Sequence, residues 1–472
     1  MKLDAPVNQN YCATVVEIKT LVPLANADNL MAIPMFGMQA IVDKSCYYVG
    51  QVGILIPAEC QLSEEFTQAN NLFRHEYLNL DPTKKGYLED NRRVQAIKLR
   101  GHRSDALFMP LDSLLFAYEK DGLTMHPAEE LTALLLDNIG MQFDHIPGLN
   151  GSVEICHKYE RPIRLARGLQ AVTIKNTRVD KRYMPEHFDS PNVFRVQDSL
   201  DPNAQVVVTQ KLHGTSIRVA NTIVQRKLTM FERLVKRFGA KVQETEFDYV
   251  FGSRKVIKDA NNPNQQQFYD EDIWTREGKK LAGLIPQNYI VYGELIGWTG
   301  GLDGVTVTGD NKSGTIKGNY APIQSHYTYD CLPGTCKLYV YRVAFVNAQG
   351  TVADLSWDAV KEFCTATGLN HVPEMWRGTL GVATTLLQFR GLWLDMNFHA
   401  LHEQTGDKMF RNVVPLSADS PCDEGVCIRI EGIIPQIYKA KSPLFLQHET
   451  SMLNSETAVD VEAEATGEAA SV

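Results

Sequence analysis

The sequence predicts an α+β fold: a small β-barrel at the N-terminus, then a larger domain of mixed helices and strands. Three observations carry this expectation. The first 110 residues break into short β-branched or aromatic runs punctuated by turn residues. From about residue 166, strand-like and helix-like runs are interleaved. At 472 residues the chain exceeds one typical domain, and 44% hydrophobic with 22% charged residues is the balance of a core-forming globular protein.

The elements follow in order. "YCATVVEIKTLVPL", "LMAIPMFGMQAIVD", "YYVGQVGILIP" and "VQAIKLRGHRSDALFMPL" each read as one or two short strands. Such strands suit a small barrel, with an OB-fold as one candidate, and this domain is expected over residues 1–125. Residues 126–165 read as a helical connector. There "PAEELTALLLDNIG" has helical apolar spacing, opens on Pro and closes on Gly. Over 166–450, "AQVVVTQKLHGTSIRVAN" reads as strand, tight turn, strand, and "TMFERLVKRFGAKV" as a basic helix. "NYIVYGELIGW", "KLYVYRVAF", "EGVCIRIEG" and "PQIYKAKSPLF" read as strands. Residues 451–472 have the small, polar composition of a disordered acidic tail.

Charge narrows the partners. The net charge of −9 argues at first against nucleic acid, but residues 453–472 hold five acids and no base and so supply −5 of it. Elsewhere cations gather: residues 82–103 carry seven Lys/Arg against two acids, 158–182 eight against two, and 226–258 nine against four. Runs of this kind with aromatics nearby suit a surface that follows phosphates. No run of 18 apolar residues spans a membrane, and the N-terminus lacks the apolar core of a secretory signal. Nine scattered cysteines suit a reducing compartment, so a cytoplasmic location is expected.

The chemistry gathers around Lys211 in "QKLHGTS". Four later segments share its setting on β patterns: "VYGELIG" at 291–297, "KLYVYRV" at 337–343, "DEGVCIRI" at 423–430 and "YKAKS" at 438–442. A lysine at its reference pKa of about 10.4 is protonated at neutral pH and is no nucleophile. Nearby cations and desolvation favour the neutral amine. Lys439 and Lys441, together with a bound divalent metal, are expected to supply that field. Hard divalent cations take oxygen ligands, for which Glu294 and Glu424 are the candidates. Gly214 is expected to let the backbone come close to a nucleotide.

This ordered set resembles the covalent nucleotidyltransferase superfamily of polynucleotide ligases and mRNA capping enzymes. A Lys-x-(Asp/His)-Gly motif, a Gly-Glu strand, an aromatic strand, a Glu-Gly strand and a Lys-x-Lys strand occur there in that order. Within it the chain is most similar to ATP-dependent RNA ligases with an N-terminal OB module, since only 31 residues follow Lys441 and leave no room for a later barrel. The resemblance covers roughly residues 10–445 and implies an ATP-grasp-like antiparallel sheet for residues 166–450. By it, Lys211 is the adenylated nucleophile, and Arg254 in "FGSRK" meets the nucleotide or a 5′-phosphate. Glu294 meets ribose or metal, Tyr341 stacks on adenine, Glu424 binds metal, and Lys439 and Lys441 contact the α-phosphate. ATP, Mg²⁺ or Mn²⁺, and RNA ends (a nicked, RNA-containing duplex in particular) are the implied ligands, with the protein expected as a monomer.

Two departures stand out: His213 replaces a common aspartate, and Arg342 follows Tyr341 where an acid is frequent, which keeps Tyr339 open as the alternative stacker. A non-catalytic RNA binder with a degenerate domain, and a capping-type guanylyltransferase, are the competing readings.

Overall fold

The computed structural model describes residues 2–120, 123–160, 178–259, 271–300, 320–389 and 391–454. The acidic tail from 455 onward, the middle of the basic run at 158–182 and the glycine-containing stretch 301–319 lie outside the described residues. The chain divides into two compact units, one of residues 1–161, 194–196 and 443–455, the other of most of the remainder.

The first unit is built on a seven-stranded sheet. Its strands are β1 (Ala13–Glu17), β2 (Val22–Pro23), β3 (Leu30–Met35), β4 (Met38–Asp43), β5 (Val52–Pro57), β6 (Ala106–Pro110) and β7 (Gln142–Phe143). Their spatial order is β7-β1-β5-β6-β4-β3-β2, with β4 and β6 parallel and the other neighbours antiparallel. Both faces are apolar. Val15, Ile54 and Ile56 pack on one side with Ala128, Leu131 and Leu135 of helix α1 (Pro127–Asp137), while Val16, Leu55 and Phe108 pack on the other.

This sheet cannot lie flat. Glu17 and Val22 are five residues apart, a reach of at most about 18 Å, whereas the five strand spacings between β1 and β2 would cover about 24 Å. The sheet therefore curls back on itself. Its hydrogen-bond path nonetheless stays open, so the barrel expected from the sequence is not closed: the strand breaks between Glu17 and Val22, and β1 pairs with β5 and β7 while β2 pairs with β3.

The helix Pro443–Asn454, far away in sequence, belongs to this same unit. Its Thr450 hydroxyl donates to Glu59 Oε1 at 2.7 Å, and Asn454 meets Arg93 and Gln95. Arg93 and Glu59 form a buried ion pair at 2.6 Å, so the helix completes the hydrogen bonding of a charge pair that is costly to leave unsatisfied.

The second unit holds two antiparallel sheets. One is four-stranded: β8 (Gln205–Lys211) lies between β14 (Glu374–Thr379) and β15 (Gly425–Ile430), with β16 (Gln436–Lys441) outermost. The other runs β10-β9-β11-β12-β13, with β9 at Thr215–Gln225, β10 at Thr245–Gly252, β11 at Tyr289–Gly297, β12 at Cys336–Val346 and β13 at Val352–Asp354. The short segment Asn370–His371 pairs in parallel along β12. Strands β8 and β11 are buried along nearly their whole length. Their apolar stretches, Val206–Val208 in β8 and Tyr289–Tyr292 in β11, therefore run on without an in-out alternation. Residues 212–214 alone carry the chain from β8 in one sheet to β9 in the other. Among the described residues no helix is long and apolar enough to cross a membrane.

Candidate active site

Lys211 is the last residue of β8, and register fixes its neighbours. It lies opposite Gly425 on β15, which lies opposite Lys441 on β16. Residues opposite one another share a face of the sheet, so two lysines flank a position with no side chain. That bareness is enforced: a Cβ at Gly425 would lie 2.1 Å from the Ala440 carbonyl oxygen, and φ is +139°. The Glu424 carboxylate sits where the lysines converge, with Oε1 2.8 Å from Lys211 Nζ and 3.2 Å from Lys441 Nζ.

The charges settle one another. Burial alone would raise the Glu424 carboxyl, but the ammonium groups of Lys211 and Lys441 outweigh it and hold it down at about 2. Burial likewise disfavours a charged Lys211, yet the facing Glu424 carries the amine above its usual range. The sequence led us to expect a cationic field that neutralises this amine. The resting arrangement does the opposite, because a spacing rule locates a residue on its strand without saying which atom it meets. Glu424 Oε2 is buried and accepts no hydrogen bond, with His213 Nδ1 at 3.9 Å. One oxygen thus carries two cations and the other is open.

Glu294 on β11 is the second carboxylate. Oε1 accepts from the Gly214 backbone N–H at 3.0 Å and Oε2 from the Ser216 hydroxyl at 3.2 Å. Burial, reinforced by the charge of Glu424, pushes it up to about 7 against the opposing pull of Lys211. The close approach that Gly214 allows is to β11: a Cβ there would lie 2.1 Å from the Leu295 carbonyl oxygen. Gly214 therefore serves to present an N–H to Glu294. His213 is fixed by its own N–H, which donates to Tyr329 Oη at 2.6 Å, and by the Tyr327 ring packed edge-on at 5.0 Å.

Tyr341 owes its place to a β-bulge. Opposite β11, Arg342 pairs with Tyr292 and Val340 with Gly293, leaving Tyr341 as the extra residue. A bulge re-aims side chains that alternation would send apart. Here the Tyr341 ring lies 4.9 Å from His187 with its hydroxyl 3.3 Å from Ser216 Oγ. Arg342 stacks over Tyr292 at 4.4 Å and pairs with Asp354 at 2.6 Å. Tyr339, the alternative stacker, is opposite Glu294.

Arg254 and Lys439 meet elsewhere, at Asp189: both approach Oδ1, at 3.1 and 3.2 Å. Lys439 is therefore not at the Glu424 carboxylate, although it shares a strand face with Lys441. Sequence reasoning missed Asp189, His187, Ser216 and Tyr329. Asp189 and His187 lie in "HFDSPN", which has no periodicity to mark it, and Ser216 could be found only as the residue opposite Glu294.

Could these residues hold a divalent cation? Among those described, no group of three or more His, Cys, Asp or Glu is arranged to do so. The open Glu424 oxygen and the nearby Glu294 fit a hard cation whose remaining oxygens come from ligand and water. The site can therefore supply an amine, two carboxylates and several cations around a slot with no side chain at its floor.

No curated protein sequence matches the chain. Solved structures of Naegleria gruberi RNA ligase share its fold. An apo point mutant is 15% identical, covering 94% of this chain and 99% of that one, with a TM-score of 0.51. The pyrophosphate complex is 16% identical over 94% and 100%, at 0.51. A second point mutant with ATP and Mn is 15% identical over 92% and 98%, at 0.50. A sequence model of RNA ligases matches residues 204–441, just over half of the 472, from the start of β8 to the end of β16. The chain belongs to the RNA ligase family.

Proposed function

We propose that the protein is an ATP-dependent RNA ligase that works through a lysyl-AMP at Lys211. The observation that carries this reading is the row Lys211–Gly425–Lys441 with Glu424 bridging both ammonium groups. An amine and a second cation face each other across a bare backbone position, where a phosphate can lie without meeting a side chain.

The chemistry proceeds in three steps. Lys211 Nζ, once deprotonated, attacks the α-phosphorus of ATP; an N–P bond forms and pyrophosphate leaves. The adenylate then passes to the 5′-phosphate of an RNA end, giving a phosphoanhydride and returning the lysine. A 3′-hydroxyl attacks that 5′-phosphate and expels AMP, at a nick in a duplex on our reading. Glu424 governs the first step: while its carboxylate faces Lys211 the amine stays protonated, and any ligand that draws it away favours the reactive form. Lys441 is then the nearest cation for the α-phosphate, while Arg254 and Lys439, now on Asp189, are the pair for a second phosphate. Tyr341 is the stacker for adenine. Bound Mg²⁺ or Mn²⁺ would draw charge from the phosphates, and Glu294 and Glu424 are the residues that would hold it.

On the same reading the curled N-terminal sheet, with the helix Pro127–Asp137 packed on it and Pro443–Asn454 returning to it, is an OB-type module, and the nucleotidyltransferase domain is the second unit, whose last strand is Gln436–Lys441. Nine free cysteines support a cytoplasmic setting.

The test is direct. Incubation with ATP labelled in the α-phosphate and Mn²⁺, followed by a denaturing gel, should label the wild type and leave Lys211→Ala unlabelled. A labelled Lys211→Ala protein, or a wild type that takes label from GTP and not from ATP, would overturn the assignment.

A further inference from the structure

Strand β9 begins beside the reaction centre, where Ser216 touches Glu294, and ends nine residues later at Gln225, about 30 Å away. There the chain forms helix α2 (Met230–Arg237) before returning along β10. Thr229 and Glu232 close a capping box at its start, and Glu232 also pairs with Arg226. The short helix is thus fixed at its base by its own sequence.

Its outward face is unlike the rest of the surface. Met230, Phe231, Leu234 and Phe238 are 88, 73, 52 and 81% exposed. At 100° per residue they fall on one stripe. Arg233 and Arg237 run along the edge of that stripe one turn apart, exposed and without an ion pair among the described residues. Soluble proteins rarely leave such an apolar patch bare without a partner.

We propose that α2 is a second nucleic-acid contact, gripping the duplex about one helical turn from the ends being joined. The proposal rests on the RNA-ligase reading. Three observations favour a polyanion as the occupant. The connection from β9 to β10 around α2, residues 226–244, has six cations against two acids in a chain whose net charge is −9. Arg233 and Arg237 are spaced to take neighbouring phosphates. A single strand, β9, joins the reaction centre to the helix and sets them about 30 Å apart, a span on the order of one duplex turn. The apolar stripe then lies against the sugars of the wide, shallow minor groove of an A-form helix, which offers little else for side chains to read.

The experiment measures binding of full-length protein to nicked RNA duplexes with arms of about 6 or about 16 base pairs. The variants are Arg233→Glu/Arg237→Glu and, separately, Phe231→Ala/Phe238→Ala. We expect the charge reversal to weaken binding to the long duplex at least tenfold and to flatten its salt dependence by about two units of slope, one per phosphate. The aromatic pair should weaken it several-fold with little change in slope. Short-duplex affinity and labelling of Lys211 should stay within twofold for both. Equal losses on both lengths, or none, overturn the proposal, as does a face that instead binds anionic lipid vesicles or a second copy of the chain. If the ligase reading itself fails, the wild type takes no label from ATP, an outcome separate from any dependence on duplex length.

Discussion

His187 shows how much one side chain can hide. Nothing in its sequence context marks it, yet it lies against Phe188, Tyr292 and Tyr341, and its Nδ1 is buried without a hydrogen-bond partner. Burial, then the charges of Arg342 and Arg254, push its pKa well below the usual imidazole range, against a smaller upward pull from Asp189. A histidine depressed in this way adds stability that is complete above its unfolded value, about 6.5. That stability drains away as pH falls, since the unfolded chain takes a proton that the folded one refuses. His187→Phe should therefore flatten the loss of denaturant midpoint below about pH 6.5, and a variant as acid-sensitive as wild type would contradict this. Lys211, Glu424 and Lys441 were legible by contrast, because short polar motifs on strands carry their own register. The meeting of Lys211 with a carboxylate was not legible, since it depends on the bare Gly425 position on the strand between Lys211 and Lys441.

Strands were read well where burial is two-sided. "YIVY" in "NYIVYGELIGW" and "VVV" in "AQVVVTQK" run on without alternation because both faces are covered, and each segment forms the expected strand. Helix α2 lies within the run read as a basic helix, and a Thr229–Glu232 capping box sets its start. The bulge in β12 was invisible: an extra residue breaks the alternation without leaving a Gly or Pro to announce it. That bulge explains the arginine that departs from the family's pattern, because Arg342 is used to bind β12 to β13 through Asp354. Both side chains are nearly buried, 7 and 10% exposed. Removing one partner of such a pair leaves an uncompensated charge. Asp354→Asn should lower stability by about 3 kcal/mol, measured by urea unfolding, and a change below about 0.5 kcal/mol would show the pair to be solvated in practice.

Architecture above the strand was only partly readable. Short strands led us to expect a small barrel, whereas the sheet curls on itself with its hydrogen-bond path open, and no local pattern shows where a strand breaks. Nor could the sequence reveal that the helix Pro443–Asn454 belongs with residues 1–161, since sequence distance hides such a return. Truncation after residue 454 removes only the acidic end and should leave the unfolding midpoint unchanged. Truncation after Ser442 takes away Thr450 and the buried Phe445 and leaves Glu59 with fewer donors. It should lower the midpoint sharply, and equal behaviour of the two truncations would refute the dependence. The return of that helix has a kinetic side. A ribosome adding about 5–20 residues per second needs about a quarter of a minute to a minute to travel from Arg161 to Pro443. Throughout that interval the first segment to emerge waits for its last piece, so the nascent chain is most exposed to chaperones and proteases at the end made earliest.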